Sequence, residues 1–148
     1  MNLDKISVVI LAAGLGTRLS NFRGGKTNKI LLEINGTPMI VKQIEQLTSW
    51  GFSTNNIVCV TNPEIHESIE EVVHEQFGSE VKYVIQPEPL GIAHAFSYSK
   101  DLISSEYVLL VWAITSLRKI HLQLQDLIQK LSQIYLLREF KILKTLES

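Results

Sequence analysis

The chain has 148 residues, 45% of them hydrophobic and 20% charged, enough for one compact domain and too apolar for a disordered chain. A net charge of -1 with no run of like charges gives neither nucleic acid nor a membrane surface an electrostatic footing, so neither is expected as a partner. A single cysteine excludes an internal disulfide, no basic leader precedes Ile6, and the apolar run from Ile6 to Ala13 is too short to span a bilayer; the expected location is cytoplasmic.

Ser7 to Ala12 is continuously apolar and rich in β-branched residues, which predicts a strand buried on both faces of a parallel sheet. Thr37-Pro38 reads as a helix start, with a capping hydroxyl and proline at the first helical position. The helix is expected over 38–50, with Ile40, Ile44 and Leu47 on one face and Gly51 as its stop. Residues 56–60 read as a strand in which Cys59 is a buried thiol rather than a nucleophile. A helix over 64–77 follows, turning Ile65, Ile69, Val72 and Val73 inward and ending at Gly78. A strand over 81–85, a helix over 91–103 and a strand over 107–111 complete the pattern. Strands alternating with helices through short connections predict an α/β fold, Rossmann-like and doubly wound, with a mostly parallel sheet, right-handed crossovers and ligands beyond the carboxyl ends of the strands.

At Trp112 the composition changes. Every glycine, proline and valine lies before it, while residues 112–148 hold six Lys+Arg against three Asp+Glu and crowd in leucine and glutamine. The chain therefore divides into residues 1–111, which carry the α/β pattern, and an atypical tail over 112–148. Leu117, Ile120, Leu124, Leu127, Leu131 and Ile134 recur three and four apart in the tail, as in a helix.

The chemistry concentrates at the end of the first strand. In Leu11-Ala12-Ala13-Gly14-Leu15-Gly16-Thr17-Arg18 the glycines let backbone N–H groups approach phosphate oxygens. A dinucleotide fingerprint needs a third glycine where Leu19 stands, and a Walker A loop ending in Gly24-Gly25-Lys26-Thr27 needs one where Ser20 stands; both are rejected. Arg18 and Lys29 are candidate cations for a triphosphate attacked at its α-phosphorus, where charge develops on the leaving pyrophosphate. His66, His74, His94 and His121 lack Cys or carboxylate partners at metal-ligand spacing and read as surface or packing residues.

Gly14-Leu15-Gly16-Thr17-Arg18, followed by Lys29-Ile30-Leu31-Leu32 and by Asn35-Gly36-Thr37-Pro38-Met39-Ile40, resembles the signature of the sugar-phosphate nucleotidylyltransferases. Gln86-Pro87-Glu88-Pro89-Leu90-Gly91-Ile92-Ala93-His94-Ala95 is similar to the loop with which the glucose-1-phosphate thymidylyl- and uridylyltransferases hold a pyrimidine base. The likeness covers residues 6–111. It implies that Leu11, Ala12, Ala13, Gly14, Gly16 and Thr17 bind the nucleotide, that Arg18 and Lys29 act on the triphosphate and its α-phosphate, and that Gln86 with the backbone near Gly91 reads the base. An amide donates and accepts at once, which suits a pyrimidine edge. The implied reaction joins a nucleoside triphosphate, dTTP or UTP, to a sugar 1-phosphate, giving an NDP-sugar and pyrophosphate. The alternatives are a cytidylyltransferase for choline or polyol phosphate and a non-catalytic nucleotide-binding remnant.

Two departures stand out. Asn28 precedes Lys29 where the family has proline, and Val111-Trp112-Ala113-Ile114-Thr115 stands where the family has Leu-Gly-Asp-Asn. The resemblance implies Mg2+ as cofactor, but its aspartate ligand is missing here, so no metal ligand is assigned and activity is expected to be absent or very weak. Trp112-Ala113-Ile114-Thr115-Ser116 has codons that, read one base earlier, permit Leu-Gly-Asp-Asn-Ile. A one-base frameshift near codon 111 is therefore expected to have produced the tail.

Overall fold

The computed structural model describes residues 3–14 and 29–113, together with Asp126 and Gln129. Asn2–Thr115 form one compact unit; Met1 with Ser116–Ser148 form another, in which Asp126 and Gln129 are helical.

Within the first unit, strands β1 (Ile6–Leu11), β4 (Ile57–Thr61), β5 (Lys82–Ile85) and β6 (Tyr107–Trp112) form a sheet in the order β5-β4-β1-β6. All neighbouring pairs are parallel, with Val8 opposite Ile57 and Leu109, and Leu11 opposite Val60 and Trp112. The α/β fold with a parallel sheet is thus observed, and the structure supplies the strand order. Val8, Val9 and Ile10 are fully buried because β1 is central and covered on both faces, which explains its unbroken apolar run. Val9, Val58 and Val60 join Ala95 in one core cluster, with Leu11, Val84 and Phe96 packed against it. By strand alternation Val8, Ile10, Ile57 and Cys59 face the opposite side. Each fully buried Val or Ile contributes about 1.5–3 kcal/mol. Burial pushes the Cys59 thiol up to about 12, so it is protonated near neutral pH and no nucleophile.

The helix expected over 38–50 is α1 (Met39–Ser49), with Ile40, Ile44 and Leu47 buried as predicted. Its start was misread. Thr37 and Pro38 form no side-chain cap; they are strand β3 (Thr37–Pro38), paired antiparallel with β2 (Glu33–Ile34). Asn35 and Gly36 join them with φ of 54° and 77°, the two left-handed residues that a two-residue hairpin turn requires. The Asn-Gly pair was the signal in the sequence, and it outweighs the Thr-Pro pair because the turn geometry fixes the next two residues as strand.

Helix α2 (His66–Phe77) buries Ile69 and Val73, leaves Val72 half-buried, and ends at Gly78 with φ 67°. Helix α3 (Ile92–Ser99) is shorter than expected, giving way to a 3-10 turn at Lys100–Leu102. The chain runs outward from β1 through β4 to β5, then crosses back to place β6 on the other side of β1. This reversal opens a crevice at the carboxyl ends of β1 and β6, where doubly wound sheets bind ligands.

Candidate functional site

A cleft of about 220 Å³ occupies that crevice, walled by Leu11 at the end of β1 with Ala13 and Gly14 beyond it, by Gln86 and Gly91 after β5, and by Trp112 at the end of β6. Five of the residues expected to meet the nucleotide, Leu11, Ala13, Gly14, Gln86 and Gly91, are thereby brought to one cleft. Ala12 is not among them: it is buried, and its N–H donates to the Val60 carbonyl at 2.8 Å, extending the sheet instead of facing a ligand. Lys29 sits in a 3-10 turn (Lys29–Leu31) pinned by buried Ile30 and packed against α1, and does not line the cleft. Gly16, Thr17 and Arg18 lie outside the described residues, as does His121.

The floor of the cleft is tied down by Asn62, which follows β4. Its Nδ2 donates to the Ala13 carbonyl at 3.1 Å, while its Oδ1 accepts from the N–H groups of Glu64 at 2.9 Å and Ile65 at 3.2 Å. One side chain therefore closes the turn that leads into α2 and fixes the strand-to-loop turn at Ala13. Sequence reasoning missed it, although Asn-Pro after a strand is a turn signal.

Gln86 is the most constrained polar group in the cleft wall. Its backbone N–H donates to the Thr61 carbonyl at 2.7 Å, continuing the β4–β5 ladder by one residue. Its side chain is buried, with Nε2 3.3 Å from the Gly91 carbonyl and 2.9 Å from His94 Nδ1. Gly91 has φ 98° and ψ -179°, a region open in practice only to glycine. That conformation lets its carbonyl accept from Gln86 while also accepting the first helical N–H of α3, from Ala95 at 3.0 Å. The His94 ring packs edge-on against Tyr98, ring centroids 5.1 Å apart.

On the β6 side, Gln43 of α1 donates from Nε2 to the Trp112 carbonyl at 2.8 Å, and its buried Oε1 has no partner among the described residues. Gln43 gave no signal in the sequence, since it reads as a polar interruption of an amphipathic helix. The residues at this strand end do not fit a magnesium ion. Trp112 and Ala113 offer no carboxylate, the Trp112 carbonyl is already engaged, and among the described residues no Asp or Glu lines the cleft. Among the described residues no three His, Cys, Asp or Glu converge as a metal site, and no helix is long and apolar enough to cross a membrane.

Residues 7–134 match the family model described as nucleotidyl transferase. The chain is 37% identical over 98 residues to the bifunctional protein GlmU of Exiguobacterium sibiricum, covering 66% of this chain and 19% of that protein. It is 34% identical over 105 residues to the glucose-1-phosphate thymidylyltransferase of Neisseria meningitidis, covering 70% and 35%. A Bacillus anthracis structure assigned as a glucose-1-phosphate thymidylyltransferase, in complex with sucrose, superposes with a TM-score of 0.64 at 23% identity, over 82% of this chain and 50% of that one. This last likeness is one of fold. The chain spans between a fifth and about a third of the length of the two curated relatives.

Proposed function

The chain belongs to the nucleotidyl transferase family, and we propose that its first unit holds a pyrimidine nucleoside triphosphate, dTTP or UTP, whose nucleotidyl group is destined for a sugar 1-phosphate. The observation that carries the reading is the buried Gln86 amide, held against the Gly91 carbonyl in the wall of a cleft at the switch point of the sheet. A buried, oriented amide discriminates between base edges because a mismatched polar edge leaves a group unpaired in a low-dielectric site.

In the reaction, an oxygen of the sugar phosphate attacks the α-phosphorus in line; the new P–O bond forms as the bond to pyrophosphate breaks, without a covalent enzyme intermediate. Arg18 grips the triphosphate, and Lys29 acts on the α-phosphate region, where cations offset the charge that builds on the leaving group. Gly14 contributes backbone at the phosphate end.

Calorimetric titration of dTTP, UTP, CTP and ATP into wild type, Gln86→Ala and Arg18→Ala tests this. Gln86→Ala narrows discrimination among bases, whereas Arg18→Ala weakens every triphosphate; a uniform loss across bases in Gln86→Ala refutes base reading. A clear preference for CTP turns the assignment to cytidylyl transfer. A second reading, a nucleotide-binding remnant without turnover, is favoured by Trp112 and Ala113 standing at the end of β6 in place of a carboxylate. It expects triphosphate binding with no pyrophosphate release from any sugar 1-phosphate, and measurable release refutes it.

A further inference from the structure

We infer that His94 fixes the orientation of the Gln86 amide and thereby sets the preference for uracil or thymine over cytosine; the inference rests on the base-reading role of Gln86 proposed above. The Gly91 carbonyl can only accept, so the amide atom facing it is the nitrogen, and the flipped amide would set oxygen against oxygen. The same Nε2 lies 2.9 Å from His94 Nδ1. Since Nε2 has only hydrogens to offer, Nδ1 is the acceptor, and His94 is the neutral tautomer with its proton on Nε2.

Both amide hydrogens are then engaged by the protein, one by Gly91 and one by His94. Among the described residues Oε1 takes no hydrogen bond. The side chain that lines the cleft therefore offers a base an acceptor and no donor. Uracil and thymine carry an N–H at N3 that meets an acceptor; cytosine carries a lone pair there and is repelled. Without His94 one amide hydrogen is free, so the side chain offers a donor beside its acceptor and can serve either edge. His94 is in this sense a positioning residue, held by its edge-on contact with Tyr98.

The test uses the full chain with UTP and CTP as probes. Wild type is expected to bind UTP about tenfold or more tightly than CTP, the worth of one buried hydrogen bond made in one case and opposed in the other. His94→Leu, which removes the acceptor, brings the ratio to within about threefold, while His94→Asn, whose Oδ1 stands close to the place of Nδ1, keeps it. Equal binding of UTP and CTP by wild type overturns both this inference and the base reading beneath it. Discrimination by wild type with the same ratio in His94→Leu overturns only the role of His94. Nitrogen-15 correlation spectra of wild type give a check that needs no variant: Nδ1 resonates as an unprotonated nitrogen, and a protonated Nδ1 refutes the inference.

Discussion

Replacing Asn62 by alanine removes the group that links β1, β4 and α2 around the cleft. The residue is 7% exposed, and its side chain makes contacts to the Ala13 carbonyl and to the N–H groups of Glu64 and Ile65. The three are not equal in cost. Glu64 is exposed, so water replaces its bond, and the Ile65 N–H keeps a second acceptor in the Asn62 carbonyl at 3.3 Å. Loss of this turn interaction therefore sits near the usual net worth of one hydrogen bond, about 1 kcal/mol. The Ala13 carbonyl belongs to a buried residue and loses the side-chain donor, which adds about 1–2 kcal/mol. The sum, about 2–3 kcal/mol, is a large fraction of the 5–15 kcal/mol that holds a typical domain together. Urea unfolding followed by tryptophan fluorescence and far-ultraviolet circular dichroism measures it, with the midpoint shifting and the slope unchanged. Asn62→Asp separates the two parts: it keeps an acceptor for the N–H groups but opposes a carboxylate to the Ala13 carbonyl, so its loss is concentrated at the turn and shrinks at low pH, where the carboxyl regains a hydrogen. An Asn62→Ala chain within about 0.5 kcal/mol of wild type, the range of an ordinary surface substitution, refutes the linking role.

Gly91→Ala meets no atom within 4 Å of the added Cβ, so its cost is conformational, about 1–3 kcal/mol from the φ of 98°; relaxation of the backbone moves the carbonyl away from Gln86, and UTP affinity falls more than stability does. Unchanged affinity counts against Gly91 as the anchor of that amide. Cys59 is raised by burial to about 12, and Tyr83, half-buried, is raised as well. Both folded values exceed the unfolded ones, so their contribution is complete below about pH 9 and is lost as pH climbs through the folded value. Native Cys59 does not react with a disulfide reagent at pH 8 and reacts on unfolding in urea; native reactivity at the rate of a free thiol refutes its burial. For the tail we propose the frameshift origin, and its test is the gene: the bases encoding residues 112–116, read one position earlier, spell Leu-Gly-Asp-Asn-Ile or the proposal fails.

The strands were legible because a central parallel strand is apolar on both faces, and the run from Ser7 to Leu11 has no other use for so many β-branched residues. Resemblance pointed to the glycine loop and to Gln86; the structure brings Gly14 and Gln86 to one cleft, while Gly16, Thr17 and Arg18 lie outside the described residues. Helix α1 was legible in its buried face but not in its start, because the Asn-Gly turn and the Thr-Pro pair are local signals for different structures, and only pairing of Glu33–Ile34 with Thr37–Pro38 chose between them. What the sequence by itself determined was the layer pattern and the chemistry available at the strand ends. Only the tertiary structure decided which atoms remain available. Ala12 gives its N–H to Val60, Asn62 takes the Ala13 carbonyl, and Gln86 Nε2 lies between the Gly91 carbonyl and His94 Nδ1. Hydrogen-bonding capacity is set by residue type, but its use depends on which groups folding brings within about 3 Å, and those partners lie far apart in the chain or across a loop whose path no local pattern encodes.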